Sequence, residues 1–218
     1  MSRKFIITDL HVGDGGPQDD WVQRPDGFDL LHALCLELAD YRRRHDAQLI
    51  ITGDTFNGEC GPRACIDGST YRETMNMLRE FNPILCIGNH DSEIETFRTH
   101  SIFKRFYLTH EIQLGHTLFM HGHQVDLFCG KWGWIGKAVS KAAWLIGKVN
   151  PDWEDALRAS GGRDGDDVKF AKRAVAYAHR MGCDRIVCGH SHEPQIVTPE
   201  YVNGGLFSRD GWLVLDDK

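Results

Sequence analysis

Short apolar runs punctuate this chain, and each is followed at once by Gly, Asp, Asn or His. Phe5-Ile6-Ile7-Thr8 leads into Asp9-Leu10-His11, Leu49-Ile50-Ile51-Thr52 into Gly53-Asp54, and Ile84-Leu85-Cys86-Ile87 into Gly88-Asn89-His90-Asp91. Further on, Thr117-Leu118-Phe119-Met120 leads into His121-Gly122-His123, and Arg185-Ile186-Val187-Cys188 into Gly189-His190-Ser191-His192. Runs of this kind, stopped by turn formers, predict buried strands that open into loops. Helical spacing lies between them. Leu30, Leu31, Leu34, Leu38 and Tyr41 share one face over 28–44, and Arg42-Arg43-Arg44 suits the negative end of that helix. A second helix spans 71–81 and is stopped by Asn82-Pro83. Residues 94–106 read as a helix or broken helix, with Phe97, Ile102, Phe103 and Phe106 packing inward. Residues 112–120 predict a hairpin turning at Gly115-His116, which would start a second sheet. Ile196-Val197, Tyr201-Val202 and 212–215 supply later strands. The stretch 12–29, with Trp21 and Phe28, reads as a loop, either one able to close over substrate or a plain connection.

The stretch between His121 and Cys183 has a different texture. Ile135, Ala138, Val139, Ala142, Ile146 and Val149 fall on one helical face over 134–149, and Lys137, Lys141 and Lys148 share another. Trp132, Trp134, Trp144 and Trp153 are four of the chain's 6 tryptophans. A basic amphipathic helix with Trp can lie on a membrane or grip an acyl chain, so 132–149 is a candidate for peripheral membrane contact. The plainer reading, a helix packed on the domain with solvated lysines, is preferred. Pro151 ends this helix, a short one follows over 152–159, and a good helix over 168–181 ends at Gly182 as its C-cap.

The length, 218 residues, suits one α/β domain, and 41% hydrophobic with 26% charged residues is ordinary globular composition. The net charge of -6 and the lack of interleaved basic and aromatic patches argue against binding long nucleic acid. Seven cysteines, an odd number scattered through strand and helix patterns, predict free thiols and a reducing cytosol. The spacings Cys60-x4-Cys65 and Cys183-x4-Cys188 are poor for zinc. The first apolar run is too short for a signal peptide, and no stretch approaches the roughly 20 apolar residues needed to span a bilayer. A cytoplasmic protein is expected.

The chemistry lies in the loops. Taken singly, each is unremarkable: Gly-Asp is usually a turn, Asp-x-His is common, and Gly-Asn-His-Asp makes a helix cap. Five in succession, each at a strand end, bring Asp, Asn and His to the edge where open α/β sheets bind ligands. These O and N donors suit divalent metals such as Mn, Zn or Fe.

Asp9-x-His11, Gly53-Asp54, Gly88-Asn89-His90-Asp91, His121-Gly122 and Gly189-His190-x-His192 resemble, in order, the five signature blocks of the calcineurin-like metallophosphoesterases. The resemblance runs from Phe5 to about Leu215. It implies an αββα sandwich of two mixed sheets with flanking helices; the length suits a single domain over 1–218, and the helices between His121 and Cys183 read as a helical, cap-like insert over about 126–182. It also implies a two-metal site. Asp9, His11 and His192 would hold one ion, Asn89, His121 and His190 the other, and Asp54 would bridge them. The expected metal is Mn, with Fe, Zn or Ni as alternatives, and the implied reaction is hydrolysis of phosphomonoesters or diesters of small substrates by a bridging hydroxide. His123 would support His121. His90 would face the leaving group and donate a proton to it. Relatives that depend on this His often carry an Asp three residues after the bridging Asp. Asn57 stands there instead, and an amide stabilises an imidazolium poorly; Asp91 is the substitute to consider.

Two other readings compete. His121-Gly122, the insert, the run from Gly189 to Pro194 and Tyr201-Val202-Asn203-Gly204-Gly205 are also similar to the UDP-diacylglucosamine pyrophosphatases, which usually have Arg at the position of His90. A non-catalytic scaffold of the same fold is the alternative from another class; here every ligand position is filled.

Overall fold

The computed structural model describes residues 3–13, 15, 20–23, 26–44, 47–57, 71–91, 94, 98–126 and 167–216. Strands β1 (Arg3–Ile7), β2 (Ala47–Ile51) and β3 (Ile84–Cys86) lie side by side and parallel. β4 (Tyr107–Thr109) continues this sheet past β3, and β10 (Leu213–Asp216) closes its other side antiparallel to β1. The second sheet begins with the expected hairpin, β5 (Glu111–Leu114) and β6 (Thr117–Met120), turning at Gly115-His116. Beyond β6 come β7 (Arg185–Cys188), then β9 (Tyr201–Asn203), then the short β8 (Ile196–Val197) on the outer edge.

Both faces of the inner strands are covered, which is why their sequences are apolar without a break. Ile6, Ile50, Ile84 and Cys86 of the first sheet meet Phe119, Val187 and Val202 of the second. On the outer face of the first sheet, Phe5, Ile7, Leu49, Ile51 and Leu85 pack against Leu31, Cys35 and Leu38 of α2 (Gly27–Arg44) and Met75 and Leu78 of α3 (Arg72–Arg79). On the outer face of the second, Phe170, Ala174 and Ala178 of α4 (Asp167–Arg180) cover Leu118, Met120, Ile186 and Cys188. The three apolar layers define the expected αββα sandwich.

Several expectations need correction. The part of the expected cap that is described, α4, is the outer helical layer of the second sheet. Its apolar residues recur every four positions and find a sheet face to cover. Gly182 does end this helix, at φ 77°, with Cys183 N donating to the Ala178 carbonyl. The Trp-rich helix expected over 134–149, the short helix over 152–159, Cys60, Cys65 and Phe97 lie outside the described residues. Trp21 does not belong to a closing loop. It sits in the short helix α1 (Asp20–Gln23), is 1% exposed, and donates its indole N–H to the Leu10 carbonyl at 2.8 Å. The side chain of Phe28 is likewise outside the described residues. Among the described residues of 94–106, Ser101–Arg105 form a 3-10 turn with Ile102 and Phe103 buried. β4 and a four-residue helix, α5 (Phe207–Asp210), carried too short a pattern to be anticipated. No helix among the described residues is long and apolar enough to cross a membrane.

Candidate metal centre

The parallel strands β1, β2 and β3 and the parallel pair β6 and β7 all discharge their loops on one edge of the sandwich. The loops are laced to each other by backbone bonds, including an isolated parallel bridge between Val12 and Phe56. Asp9 N donates to the Gly53 carbonyl at 3.2 Å, His11 N to the Asp54 carbonyl at 2.9 Å, and Gly189 N to the His121 carbonyl at 2.9 Å. These turns need unusual backbone. Six non-glycine residues among those described have positive φ, and Asp9, His11, Asp54, His190 and His192 are five of them. Asp and His visit the left-handed region more readily than bulkier residues, and strained backbone gathers where a site needs it.

Two groups of donor atoms result. Asp9, His11, Asp54 and His192 each offer an atom within 4.8 Å of the others, and so do Asp54, His121 and His190. Asp54 belongs to both. In the first group, His11 Nε2 is 3.0 Å from His192 Nε2, and His192 Nε2 is 3.3 Å from Asp9 Oδ1. In the second, His121 Nε2 is 3.1 Å from both Asp54 Oδ2 and Asn89 Oδ1. Atoms ligating one ion at about 2.0–2.2 Å lie about 3–3.5 Å from each other, so these separations fit a shared ion.

The electrostatics point the same way. Asp9 is 0% exposed and Asp54 1%, yet among the described residues their only cationic neighbours are histidines. A buried carboxylate without a cation is costly, and a divalent ion would supply the missing charge. Burial works to raise the Asp54 carboxyl, but the neighbouring His121 and His90 outweigh it and hold it well below the usual range. Burial first, and His192 second, push His11 down to about 3. It is therefore neutral at neutral pH, as a ligand must be. His121 is raised despite its burial, because Asp54 faces it.

Glycines let the carboxylates in. A Cβ on Gly88 would fall onto Asp54, and one on Gly189 onto Asp9. One on Gly53 would lie 2.7 Å from the ring of His121. Gly53, Gly88 and Gly189 thus each lie under a ligand from another block. Gly189→Ala and Gly88→Ala are expected to lose most bound divalent metal and turnover, read by elemental analysis of purified protein. Gly115→Ala, whose Cβ meets nothing within 4 Å, should keep its metal, although its φ of +60° costs about 1–2 kcal/mol of strain. Equal metal content in all three would remove the packing argument.

The remaining expected residues have distinct fates. His90 N donates to Asp54 Oδ1 at 2.9 Å, and its half-buried ring stands edge-on to that of His11, 5.2 Å between centroids. Asp91 does not orient His90. Its carboxylate accepts backbone N–H groups from Thr55, Phe56 and Gly88 at 3.2, 3.0 and 3.1 Å, pinning the second and third loops together. Asn57 is buried, and its N–H goes to the Val12 carbonyl; among the described residues no hydrogen bond joins it to His90. His123 lies 5.5 Å from His121, ring to ring, with a buried Nδ1 that has no partner among the described residues. Burial first, then His121, pushes it down to about 3. Cys183 and Cys188 are buried in the second sheet's core and face no metal cluster among the described residues. Two contacts were missed in the chain: the Thr52 carbonyl 3.0 Å from His121 Nδ1, and Asp126 Oδ2 2.8 Å from His190 Nε2. Neither carries a sequence signal, since an acceptor five residues beyond His121 matches no pattern.

The family model of the calcineurin-like phosphoesterases matches residues 3–194, and the chain belongs to that family. Among solved structures, it is similar to a protein of unknown function from Aquifex aeolicus, with a TM-score of 0.51 and 14% identity over 98% of this chain and 96% of that one. That likeness is one of fold. A conserved protein from Streptococcus pneumoniae described as a predicted phosphoesterase gives a TM-score of 0.40 at 15% identity, covering 99% of this chain and 84% of its own. A cold-active protein-tyrosine phosphatase of a psychrophilic Shewanella gives 0.47 at 13%, covering 100% and 76%. No curated protein sequence matches the chain.

Proposed function

We propose that this protein hydrolyses phosphomonoesters or phosphodiesters of small substrates at a dinuclear metal centre. The observation that carries the reading is the sharing of Asp54 between two donor groups, each gathered within 4.8 Å. Asp9, His11 and His192 would hold one ion, Asn89, His121 and His190 the other, with Asp54 common to both and Mn the expected metal. Paired cations in such a site bind phosphate oxygens and make a water nucleophilic near neutral pH. The chain's own groups do the rest. Asp9 and Asp54 would supply compensating charge, while imidazoles that are neutral once an ion is bound and the Asn89 amide would complete the shells without adding more. Asp54 Oδ1 accepts the backbone N–H of His90, which ties the leaving-group side of the site to the shared ligand. His90 would donate a proton to the departing oxygen. The four described cysteines are buried and free, in keeping with a reducing compartment such as the cytosol.

The test is turnover of p-nitrophenyl phosphate, its bis-ester and a UDP-diacylglucosamine by chelator-stripped protein resupplied with Mn, Fe, Zn or Ni. Metal-dependent turnover of either nitrophenyl ester is expected. Turnover confined to the lipid nucleotide would replace this reading by the pyrophosphatase one, and no turnover with any metal would leave a scaffold. In the same assay, His90→Ala should lower turnover of alkyl phosphates by about 10²–10⁴-fold and that of nitrophenyl phosphate by much less, since nitrophenolate needs no proton to leave. Equal losses on both would remove the proton-donor role.

A further inference from the structure

His190 is gripped from behind by a carboxylate. Its Nε2 lies 2.8 Å from Asp126 Oδ2, and Asp126 is 9% exposed. An ionised aspartate only accepts, so a neutral His190 carries its proton on Nε2 and its lone pair on Nδ1. His121 is set the other way round. Its Nδ1 lies 3.0 Å from the Thr52 carbonyl, which also only accepts, so its lone pair is on Nε2, the nitrogen that faces Asp54 and Asn89. With their lone pairs turned to one ion, the two imidazoles of this donor group would enter it through opposite ring nitrogens. One is backed by a neutral carbonyl and the other by a charged carboxylate.

The position of Asp126 is built. His121 opens the turn after β6, and Asp126 closes it, with Val125 N donating to the Gly122 carbonyl at 3.0 Å and Asp126 N to that of His123 at 3.3 Å. From α4, Arg173 Nε donates to the Val125 carbonyl at 3.1 Å, and the Phe170 ring lies 6.0 Å from that of His190. One turn thus supplies a ligand at its start and the group that aims a second ligand at its end. The Asp9–His11–Asp54–His192 group has no such carboxylate among the described residues.

We propose that Asp126 is a positioning residue: it fixes His190 as an Nδ1 donor, strengthens that donor, and so sets the metal affinity of the Asp54–His121–His190 group without touching that of the other. The inference rests on the dinuclear reading above. Carboxylates that orient metal-bound imidazoles are typically worth about 10–100-fold in metal affinity.

The test compares wild type, Asp126→Ala, Asp126→Asn and Asp126→Glu, stripped with chelator and titrated with Mn²⁺ alone by calorimetry, with stoichiometry from elemental analysis. Wild type is expected to take up two ions. Asp126→Ala and Asp126→Asn should keep one binding class unchanged and weaken the other by about 10–100-fold, and Asp126→Glu should recover part of that loss. Asp126→Asn preserves the side chain's shape and carries the test should the alanine variant not fold. Two wild-type affinities in the asparagine variant would overturn the proposal, as would equal weakening of both classes. A wild-type protein that takes up fewer than two ions would overturn the dinuclear reading itself, so the two failures are told apart.

Discussion

Asp54→Ala is expected to remove turnover to background, a loss on the order of 10³-fold or more, which is about 4 kcal/mol of transition-state stabilisation. The reason is its shared position: among the described residues it is the one common to both donor groups. Its Oδ2 is 3.1 Å from His121 Nε2 and 3.9 Å from His11 Nε2, while its Oδ1 receives the His90 N–H. Removing this carboxylate takes a ligand from each group and loosens the loop that carries His90. Metal content should fall with activity, from two ions towards one or none. His192→Ala, by contrast, strips one group only and should retain an ion in the other. An Asp54→Ala protein that keeps two ions and measurable turnover would end the shared-ligand assignment.

Asp91→Ala is expected to cost much stability although it lies outside the apolar core. Three buried backbone N–H groups, from Thr55, Phe56 and Gly88, have this carboxylate as acceptor. Each orphaned buried donor costs about 1–3 kcal/mol, so a loss of at least about 3 kcal/mol is expected in denaturant unfolding of metal-free protein. That is a large share of a total that is typically about 5–15 kcal/mol. Unfolding within 1 kcal/mol of wild type would contradict the pinning role.

The pH dependence of Asp91 has a definite sign. Burial, and then the charge of Asp54, push it from its ordinary 3.8 up to about 7, against the pull of its three N–H donors. Between those values the folded metal-free protein holds a proton that the unfolded chain has released. Stability from this group therefore falls as pH rises from about 4 to about 7 and is level above. The stability of wild type relative to Asp91→Asn should decline across that window. A gap that widens with rising pH would reverse the assignment.

How much of this could be read along the chain differs from element to element. The inner strands were legible because both their faces are buried, and double burial writes an unbroken apolar run. The hairpin at Gly115-His116 and the end of α4 at Gly182 were legible because turn and cap chemistry is local. The donor residues stood out because strand ends are where an α/β sheet presents them. Trp21 was misjudged because its neighbours are polar, although its ring is buried and its N–H is satisfied by Leu10. Likewise, α4 looked like part of a cap because periodicity shows that a helix has an apolar face, not which surface covers it.

Residue types and their order along the chain were enough to determine the family, the two kinds of layer and the pool of side chains able to hold metal. Spacing in sequence is silent on distances across loops, so three matters were decided only by the folded arrangement. Asp54 came to belong to both donor groups, Gly88 and Gly189 came to lie beneath carboxylates of other blocks, and Asp126 came to grip His190 while Asp91 held backbone instead of His90. Each depends on contacts between segments tens of residues apart, and such contacts leave no local periodicity for the eye to follow.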